Sequence, residues 1–199
     1  MILVPVGALL ALASLVLGFS VRRDVPAVDR GLHLAAADLE PGFTHSATVV
    51  SFVLSPGLAT IALLSLVARA ALARDPLVLR AAALLGACWS TVFARHVYQR
   101  VRPIDFPKWS YPSGHVTAVA AVAFTAVVLT AHLARRHLRA AVALAVAAVG
   151  ATAASRVVLE MHWFTDTAGA VLAVTGVGLL VAHALRLLPL GVGSRREQS

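Results

Sequence analysis

Long apolar stretches alternate with short polar segments along the whole chain, and this pattern predicts the elements of the fold. Six stretches are mainly apolar and about 20 residues long, which is enough to cross a bilayer core as an α-helix. They are Ile2–Ser20, Ala47–Ala68, Leu77–Ala94, Val116–Leu133, Ala140–Leu159 and Thr165–Leu185. Most connections are short, and no soluble domain is left over. We therefore expect an all-α, polytopic membrane helix bundle with six transmembrane helices, and a single domain over residues 1–199.

One connection, Asp24–Thr44, is longer and mixes apolar with charged residues. It is too polar to span a membrane, and mixed segments of this kind can lie along the membrane surface. We expect one or two short interfacial helices here, between the first and second spans, with a plain connecting loop as the alternative. Within the second span, Pro56 and Gly57 interrupt the apolar run and predict a kink.

The composition agrees with a membrane location. Of the 199 residues, 59% are hydrophobic and 13% are charged, whereas soluble domains have about 25% charged residues. The mean hydropathy is +0.85. The first stretch could instead be a signal peptide, but no basic residue precedes Ile2 and the apolar run is longer than usual for such a peptide.

The net charge of +8 does not indicate a nucleic-acid partner, because the basic residues stand at the ends of the apolar stretches. They fit membrane lipids with anionic headgroups, and they bear on orientation. With six spans, both termini share one side, which carries nine basic residues, and the other side carries eight. Three of those eight, Arg95, Arg102 and Arg156, are assigned below to a phosphate site. The remaining five against nine favour cytoplasmic termini, although Arg22 and Arg23 argue the other way.

Three segments concentrate polar residues that are costly inside a bilayer and therefore suggest a function. They are Arg95–Pro103 (RHVYQRVRP), Pro112–His115 (PSGH) and Ser155–Asp166 (SRVVLEMHWFTD). In the six-span topology the first ends span three, the second opens span four, and the third joins spans five and six. All three lie at the same face of the membrane, which we place outside the cytoplasm.

His162 and Asp166 are four residues apart, so on a helix they would share a face. A carboxylate at that spacing can accept a proton from one imidazole nitrogen, which leaves the other nitrogen as an oriented nucleophile. The pair therefore indicates covalent catalysis through His162.

The PSGH segment is typical of a helix start. Ser113 is a favoured N-cap, Gly114 lets a ligand approach the backbone, and the free N–H groups of the helix N-terminus attract anions. His115 can donate a proton to a leaving oxygen. The alternative interpretation is a simple loop-to-helix boundary with an interfacial histidine.

Three arginines are candidates for gripping phosphate oxygens, which guanidinium groups bind in bidentate fashion. Arg95 and Arg102 are seven residues apart, two helical turns, with Pro103 ending the element, and Arg156 comes from another span. We expect Arg100 and Lys108, by contrast, to extend to the interface without a role in the site.

These residues resemble the signature of the type 2 phosphatidic acid phosphatase (PAP2) superfamily of membrane lipid phosphatases. That signature reads K-x6-R-P, then P-S-G-H, then S-R-x5-H-x3-D. Residues 95–103 fit the first motif with arginine in place of lysine, residues 112–115 match the second, and residues 155–166 match the third. The substitution at Arg95 keeps the charge but changes the donor geometry, which bears on substrate preference more than on catalysis.

The resemblance implies roles that agree with the chemistry of the residues. His162 would attack phosphorus and form a phosphohistidine, Asp166 would orient it, and His115 would protonate the leaving group and then activate water. The phosphoryl oxygens would be held by the remaining site residues: Arg95, Arg102, Ser113, Gly114 and Arg156. The family uses no metal or other cofactor.

We therefore predict a metal-independent lipid phosphatase. Its substrate would be an isoprenoid diphosphate such as undecaprenyl diphosphate, phosphatidic acid, phosphatidylglycerophosphate or a polyprenyl-phosphosugar phosphate. The bias toward alanine, valine and arginine suggests a bacterial source. A phosphotransferase that uses the same phosphohistidine is one alternative, and a non-catalytic lipid-phosphate binder is another. A haloperoxidase would need a soluble helical domain that the sequence does not contain. Neither the tail, the headgroup nor the oligomeric state follows from the sequence.

Overall fold

The structure, a computed structural model, describes residues 2–106 and 109–188. The part of the chain that it describes is helical, with nine α-helices and two short 3₁₀ turns. The α-helices are α1 (Leu3–Val21), α2 (Ala27–Ala37), α3 (Pro41–Val53), α4 (Pro56–Ala73), α5 (Pro76–Ser90), α6 (Arg95–Tyr98), α7 (Gly114–Leu133), α8 (Leu138–Val158) and α9 (Phe164–Ala184). The turns cover Thr91–Ala94 and Arg135–His137.

The predicted class, an all-α bundle with six candidate spans, is confirmed. Six helical segments of 19 to 33 residues are long and apolar enough to cross a membrane, so the protein is an integral, multi-pass membrane protein. The segments are Leu3–Val21, Pro41–Ala73, Pro76–Tyr98, Gly114–Leu133, Arg135–Val158 and Phe164–Ala184. Each overlaps the corresponding predicted span.

The second span is two helices rather than one kinked helix. α3 ends at Val53, α4 begins at Pro56, and Leu54 and Ser55 separate them. The break follows from Pro56, whose ring favours the first position of a helix and excludes it from a helix interior. The polar connection Asp24–Thr44 supplies one short helix, α2, and its last residues form the beginning of α3.

Small residues allow the first and last spans to pack closely. α1 runs along α9, and its Ser14 hydroxyl donates to the Gly169 carbonyl oxygen over 2.9 Å. A side chain on Gly176 would lie 2.5 Å from the Ala11 nitrogen, which only glycine avoids. Close approach of small residues is the usual way in which helices associate within a bilayer. The opposite face of α1 exposes large apolar side chains such as Leu9 and Leu12, as a lipid-facing surface would.

A cluster of buried apolar side chains joins α5, α7 and α9 at the centre of the bundle. It includes Leu84, Leu85, Ala121 and Val174. This core fixes the ends of three helices at one end of the bundle. The end of α5, the beginning of α7 and the beginning of α9 therefore stand close together, and these are the places where the three polar segments occur.

Candidate active site

A cavity of about 830 Å³ lies at this end of the bundle and brings together most of the predicted site residues. Six of the eight predicted residues line it: Arg95, Arg102, Gly114, His115, Arg156 and His162. The other two, Ser113 and Asp166, are fully buried and do not line it. The rest of the lining is largely apolar and comes from α4, α5 and the segment before α7, including Leu63, Trp89, Phe93 and Phe106.

His162 and Asp166 are in contact, but not because they share a helix face. His162 lies in the turn before α9, where its backbone N–H donates to the Arg156 carbonyl oxygen over 3.2 Å. Asp166 is in the first turn of α9, and its Oδ2 accepts from the Trp163 N–H over 2.9 Å, as a residue closing the helix N-terminus would. His162 Nδ1 lies 3.5 Å from Asp166 Oδ2. The predicted pairing is thus present, and the turn rather than the helix produces it.

Ser110 is part of this arrangement, although the sequence motifs do not include it. Its fully buried hydroxyl donates to Asp166 Oδ2 and lies 3.4 Å from His162 Nδ1. His162 Nδ1 therefore faces two oxygen atoms, and a proton on Nδ1 leaves Nε2 with a free lone pair. No sequence signal marks Ser110 beyond its position two residues before Pro112.

The PSGH segment forms the start of α7, as predicted, with Ser113 at the N-cap position. The Ser113 side chain makes no capping hydrogen bond, and its buried hydroxyl has no partner among the described residues. Gly114 lets Arg95 come close, because a side chain at this position would lie 2.9 Å from an Arg95 guanidinium nitrogen and would displace it. Arg95 thus packs directly over the N-terminus of α7, where an anion would be held by both.

Arg95 and Arg102 do not lie two turns apart on one helix. α6 ends at Tyr98, and Gln99 adopts the left-handed conformation with φ of 51°, so residues 99–106 form an irregular segment. The Arg95 Nε donates to the Val92 carbonyl oxygen over 3.0 Å, and Arg102 donates to the Met161 carbonyl oxygen over 2.7 Å. The cavity nevertheless receives both side chains, because the chain turns back toward it.

Arg156 reaches the cavity from the end of α8. One of its terminal nitrogens donates to the Ser51 hydroxyl of α3 over 2.6 Å, and its buried Nε has no partner among the described residues. α3 therefore positions this arginine. The Arg156 backbone carbonyl also holds the turn that carries His162, so one residue links two parts of the site.

The prediction that Arg100 extends to the interface is wrong. Arg100 is only 2% exposed, and it bridges Asp29 of α2 and Asp166 of α9 with distances of 2.7 and 2.6 Å. Two carboxylates inside the protein attract the guanidinium more strongly than the interface does. The companion prediction for Lys108 falls outside the described residues.

The electrostatics keep His162 in its nucleophilic form. The pKa of His162 is lowered to about 4, chiefly by burial; Asp166 opposes this shift, and the positive charges of Arg102 and Arg156 add to it. Burial also lowers the pKa of Arg102, which Asp166 counteracts. At neutral pH the His162 ring is therefore uncharged beside positively charged guanidinium groups, which is a suitable state for attack on a bound anion.

A second cavity of about 430 Å³ meets the first at His115, Arg156 and Met161. It opens between α3 and α8, and its remaining lining is Thr48, Ser51, Phe52, Ser55 and Leu159. Ser55, in the break between α3 and α4, lines the second cavity, and Pro56, the first residue of α4, lines the first. Within residues 2–106 and 109–188, no three His, Cys, Asp or Glu side chains are grouped so as to hold a metal ion.

Fold and site together define a class: a multi-pass membrane protein with an anion pocket of arginines around a buried histidine–aspartate pair. Comparison with known families gives the class its name. The PAP2 superfamily profile matches residues 82–188, just over half of the chain, and the chain belongs to that superfamily.

A solved structure has the same fold. It is the crystal structure of a transmembrane PAP2-type phosphatidylglycerolphosphate phosphatase from Bacillus subtilis, which superposes with a TM-score of 0.72. The match covers 96% of this chain and 98% of that one, at 20% sequence identity. A search of curated proteins returned no match. The likeness therefore establishes the six-span fold over nearly the whole chain.

Proposed function

We propose that the protein is a membrane phosphatase that removes the terminal phosphate of a lipid phosphate or diphosphate through a phosphohistidine. The observation that carries the proposal is the position of His162, whose Nδ1 faces Asp166 and Ser110 while its ring lines the cavity. Three arginines and His115 line the same cavity. Membership of the PAP2 superfamily supports the same reaction class.

In the first step, His162 Nε2 attacks phosphorus and the bond from phosphorus to the leaving oxygen breaks. His115 gives its proton to that oxygen, so the lipid leaves as an alcohol or, from a diphosphate, as a monophosphate. Arg95, Arg102 and Arg156 neutralise the phosphoryl oxygens as charge shifts in the five-coordinate transition state. Asp166 faces the Nδ1–H while the ring becomes cationic.

In the second step, water attacks the phosphohistidine on the side from which the lipid departed. His115, now neutral, takes the proton from water, the P–N bond breaks, and inorganic phosphate leaves. His162 returns to its neutral state and His115 to its protonated one. The two steps need no metal, and together they convert the lipid phosphate and one water molecule into the lipid product and inorganic phosphate.

A lipid substrate fits the cavity because the cavity lining combines charged with apolar side chains. Beside the arginines and histidines, the lining includes the apolar side chains of Leu63 in α4, Trp89 in α5 and Phe93 in the turn after α5. The phosphate would bind at the arginines and an apolar tail would lie between the helices. Phosphatidylglycerophosphate, phosphatidic acid, undecaprenyl diphosphate and polyprenyl-phosphosugar phosphates all meet these requirements.

The test is phosphate release by detergent-purified protein, in the presence of EDTA, across a panel of these lipids. We expect release from at least one lipid, and a loss of about 10⁴-fold or more in His162→Ala, because the nucleophile is removed. His183→Ala is the matched control, since His183 is exposed at the far end of α9. Undiminished release by His162→Ala would contradict the mechanism.

A phosphotransferase is the second candidate, and the second cavity is the observation that favours it. That cavity reaches His115 and Arg156 from between α3 and α8, which leaves room for an acceptor other than water. Adding candidate lipid or sugar alcohols to the same assay distinguishes the two reactions. A phosphorylated acceptor would identify a transferase, and free phosphate alone would identify a hydrolase.

A further inference from the structure

A fully buried ion cluster lies behind His162, on the side away from the cavity. It consists of Arg100 with Asp29 and Asp166, and the side chains of all three are at most 2% exposed. One terminal nitrogen of Arg100 donates to Asp166 Oδ1 and the other to Asp29 Oδ2. Neither Asp29 nor Arg100 lines either cavity, so neither touches a bound substrate.

Asp29 also holds the first turn of α9. Its Oδ1 accepts from the Thr165 N–H over 2.9 Å and its Oδ2 accepts from the Thr165 hydroxyl over 2.6 Å. The same Thr165 oxygen accepts from Arg100 over 2.7 Å. Asp29 thus satisfies one of the unpaired N–H groups that every helix N-terminus leaves. Through this contact α2 is fastened to the turn that carries the reactive pair.

These contacts leave Asp166 with a single orientation. Its Oδ1 is held by Arg100, and its Oδ2 receives Ser110 and the Trp163 N–H and faces His162. A rotation of the carboxylate would break several of these bonds at once. A buried ion pair contributes little net stability. Its position directly behind the nucleophile therefore suggests a role in function.

The charge of the cluster indicates what that role is. Two carboxylates and one guanidinium carry one net negative charge while His162 is neutral. In a phosphohistidine with a proton on Nδ1 the imidazole ring is positively charged and the phosphoryl group stays negative, so the negative cluster balances the charge of the ring. In the protein interior, where charges are poorly screened, this balance favours the phosphorylated state.

We propose that Asp29 and Arg100 are positioning residues that fix Asp166 toward His162 and supply the net negative charge that stabilises the phosphohistidine. This inference rests on the proposed function and adds two residues to it. Asp29 lies outside the three polar segments, and Arg100 was expected to face the interface. Arg100 acts on Asp166 directly, and Asp29 acts through Arg100 and the first turn of α9.

The test compares Arg100→Gln and Asp29→Asn with wild type by steady-state kinetics on the lipid that releases phosphate. We expect kcat to fall about 10- to 100-fold, as is usual when the partner that orients a reactive group is removed. KM should stay within about twofold, because neither side chain contacts the substrate. Arg100→Lys should recover part of the rate by restoring the charge without the bridging geometry.

Two control variants remove charged side chains near Asp29 that are exposed and take no part in the buried ion cluster. Asp38→Asn removes an exposed carboxylate at the end of α2, and Arg30→Gln removes an exposed arginine beside Asp29. Both should keep wild-type kcat. Asp29→Asn preserves the size of the side chain, so its kcat tests the role of the cluster if Arg100→Gln does not fold. A merely structural role would lower yield and thermal stability while leaving the kcat of the folded fraction unchanged.

A second readout does not depend on turnover. Ring ¹⁵N resonances of labelled histidine, assigned to His162 by their loss in His162→Ala, report which nitrogen carries the proton. We expect a protonated Nδ1 in wild type and a mixture of tautomers in Arg100→Gln. An unchanged tautomer together with unchanged kcat would overturn the inference while leaving the phosphatase intact. A wild type without phosphatase activity would instead refute the proposed function, and the tautomer would still decide whether Arg100 positions Asp166.

Discussion

Arg100 and Arg102 are separated by one valine, yet they act in different surroundings. Arg102 lines the cavity, where it faces the space for a phosphate, and Arg100 points into the protein between two carboxylates. The irregular chain after Gln99 makes this possible, because in a regular strand two residues separated by one position would point to the same face.

The state of His162 leads to a prediction about pH. Burial places its pKa at about 4, whereas an unperturbed histidine titrates near pH 6.5. The ring should therefore stay neutral, and able to attack, as the pH falls from 7 to about 5, and should gain a proton only near pH 4. A ¹⁵N titration of the His162 ring in detergent-purified protein measures this directly. A midpoint near 6.5 would mean that the ring is solvated and not held as described.

Residues within one motif could be predicted from the sequence, and residues that pair across the fold could not. The spacing of His162 and Asp166 is short enough for the local chain to bring them together. Asp29 and Arg100 are 71 positions apart, so their ion pair depends on how α2 packs against the start of α9. Arginines at span ends are commonly interfacial, and nothing in the sequence shows that two carboxylates are available to Arg100.

At the level of the elements, short signals decide where the helices begin. Pro41, Pro56 and Pro76 each occupy an early position of a helix, and Asp75 caps α5 by accepting from the Leu77 N–H over 2.8 Å. Proline at the first turn costs no hydrogen bond and sets the backbone for a helix. These signals place α3 and α4 as separate helices, and the gap between them borders both cavities.

The close packing of α1 on α9 leads to a second prediction. Gly176→Leu would push a side chain into the backbone of α1 at Ala11 and Gly7, and no flexible group there can move aside. We expect a destabilisation of about 1–3 kcal/mol, typical of an overpacked interior. Thermal unfolding in detergent measures it. Gly150→Leu is the control, since a side chain at Gly150 meets nothing within 4 Å. Equal unfolding temperatures for the two variants would contradict this packing.

The apolar runs predict the lengths of the spans, but they do not predict where α9 begins relative to His162. The sequence predicts a helix that carries His162 and Asp166 on one face, and the structure begins α9 two residues after His162. Helix ends depend on which groups satisfy the first N–H donors. Here Asp166 and Asp29 do so, and one of these lies far away in the sequence.

For the whole molecule, the buried position of Arg100 strengthens the argument about which side of the membrane the termini occupy. Seven basic residues of the described part of the chain lie on the side of the termini. On the other side, Arg95, Arg102 and Arg156 line the cavity and Arg100 is buried, so only Arg22, Arg23 and Arg30 are left of the described basic residues there. Because basic residues in short loops favour the cytoplasm, we propose cytoplasmic termini and an outward-facing site.

This orientation predicts a labelling pattern for cysteines placed at exposed positions. Arg23→Cys lies on the side of the cavity and Arg136→Cys on the side of the termini. A membrane-impermeant maleimide should label the first in intact cells and the second only after permeabilisation. Wild type is the control, since its single cysteine, Cys88, is buried. The reverse pattern would mean that the site faces the cytoplasm.

The measurement that tests the central claim most directly is a search for the covalent intermediate. The protein is mixed with a substrate lipid labelled with ³²P in its terminal phosphate, quenched in alkali and separated from the lipid. A phosphohistidine is stable to alkali and labile to acid, because its P–N bond breaks when the ring is protonated. We predict a label of this kind on wild type and none on His162→Ala. Label that persists in His162→Ala, or that resists acid, would contradict the account.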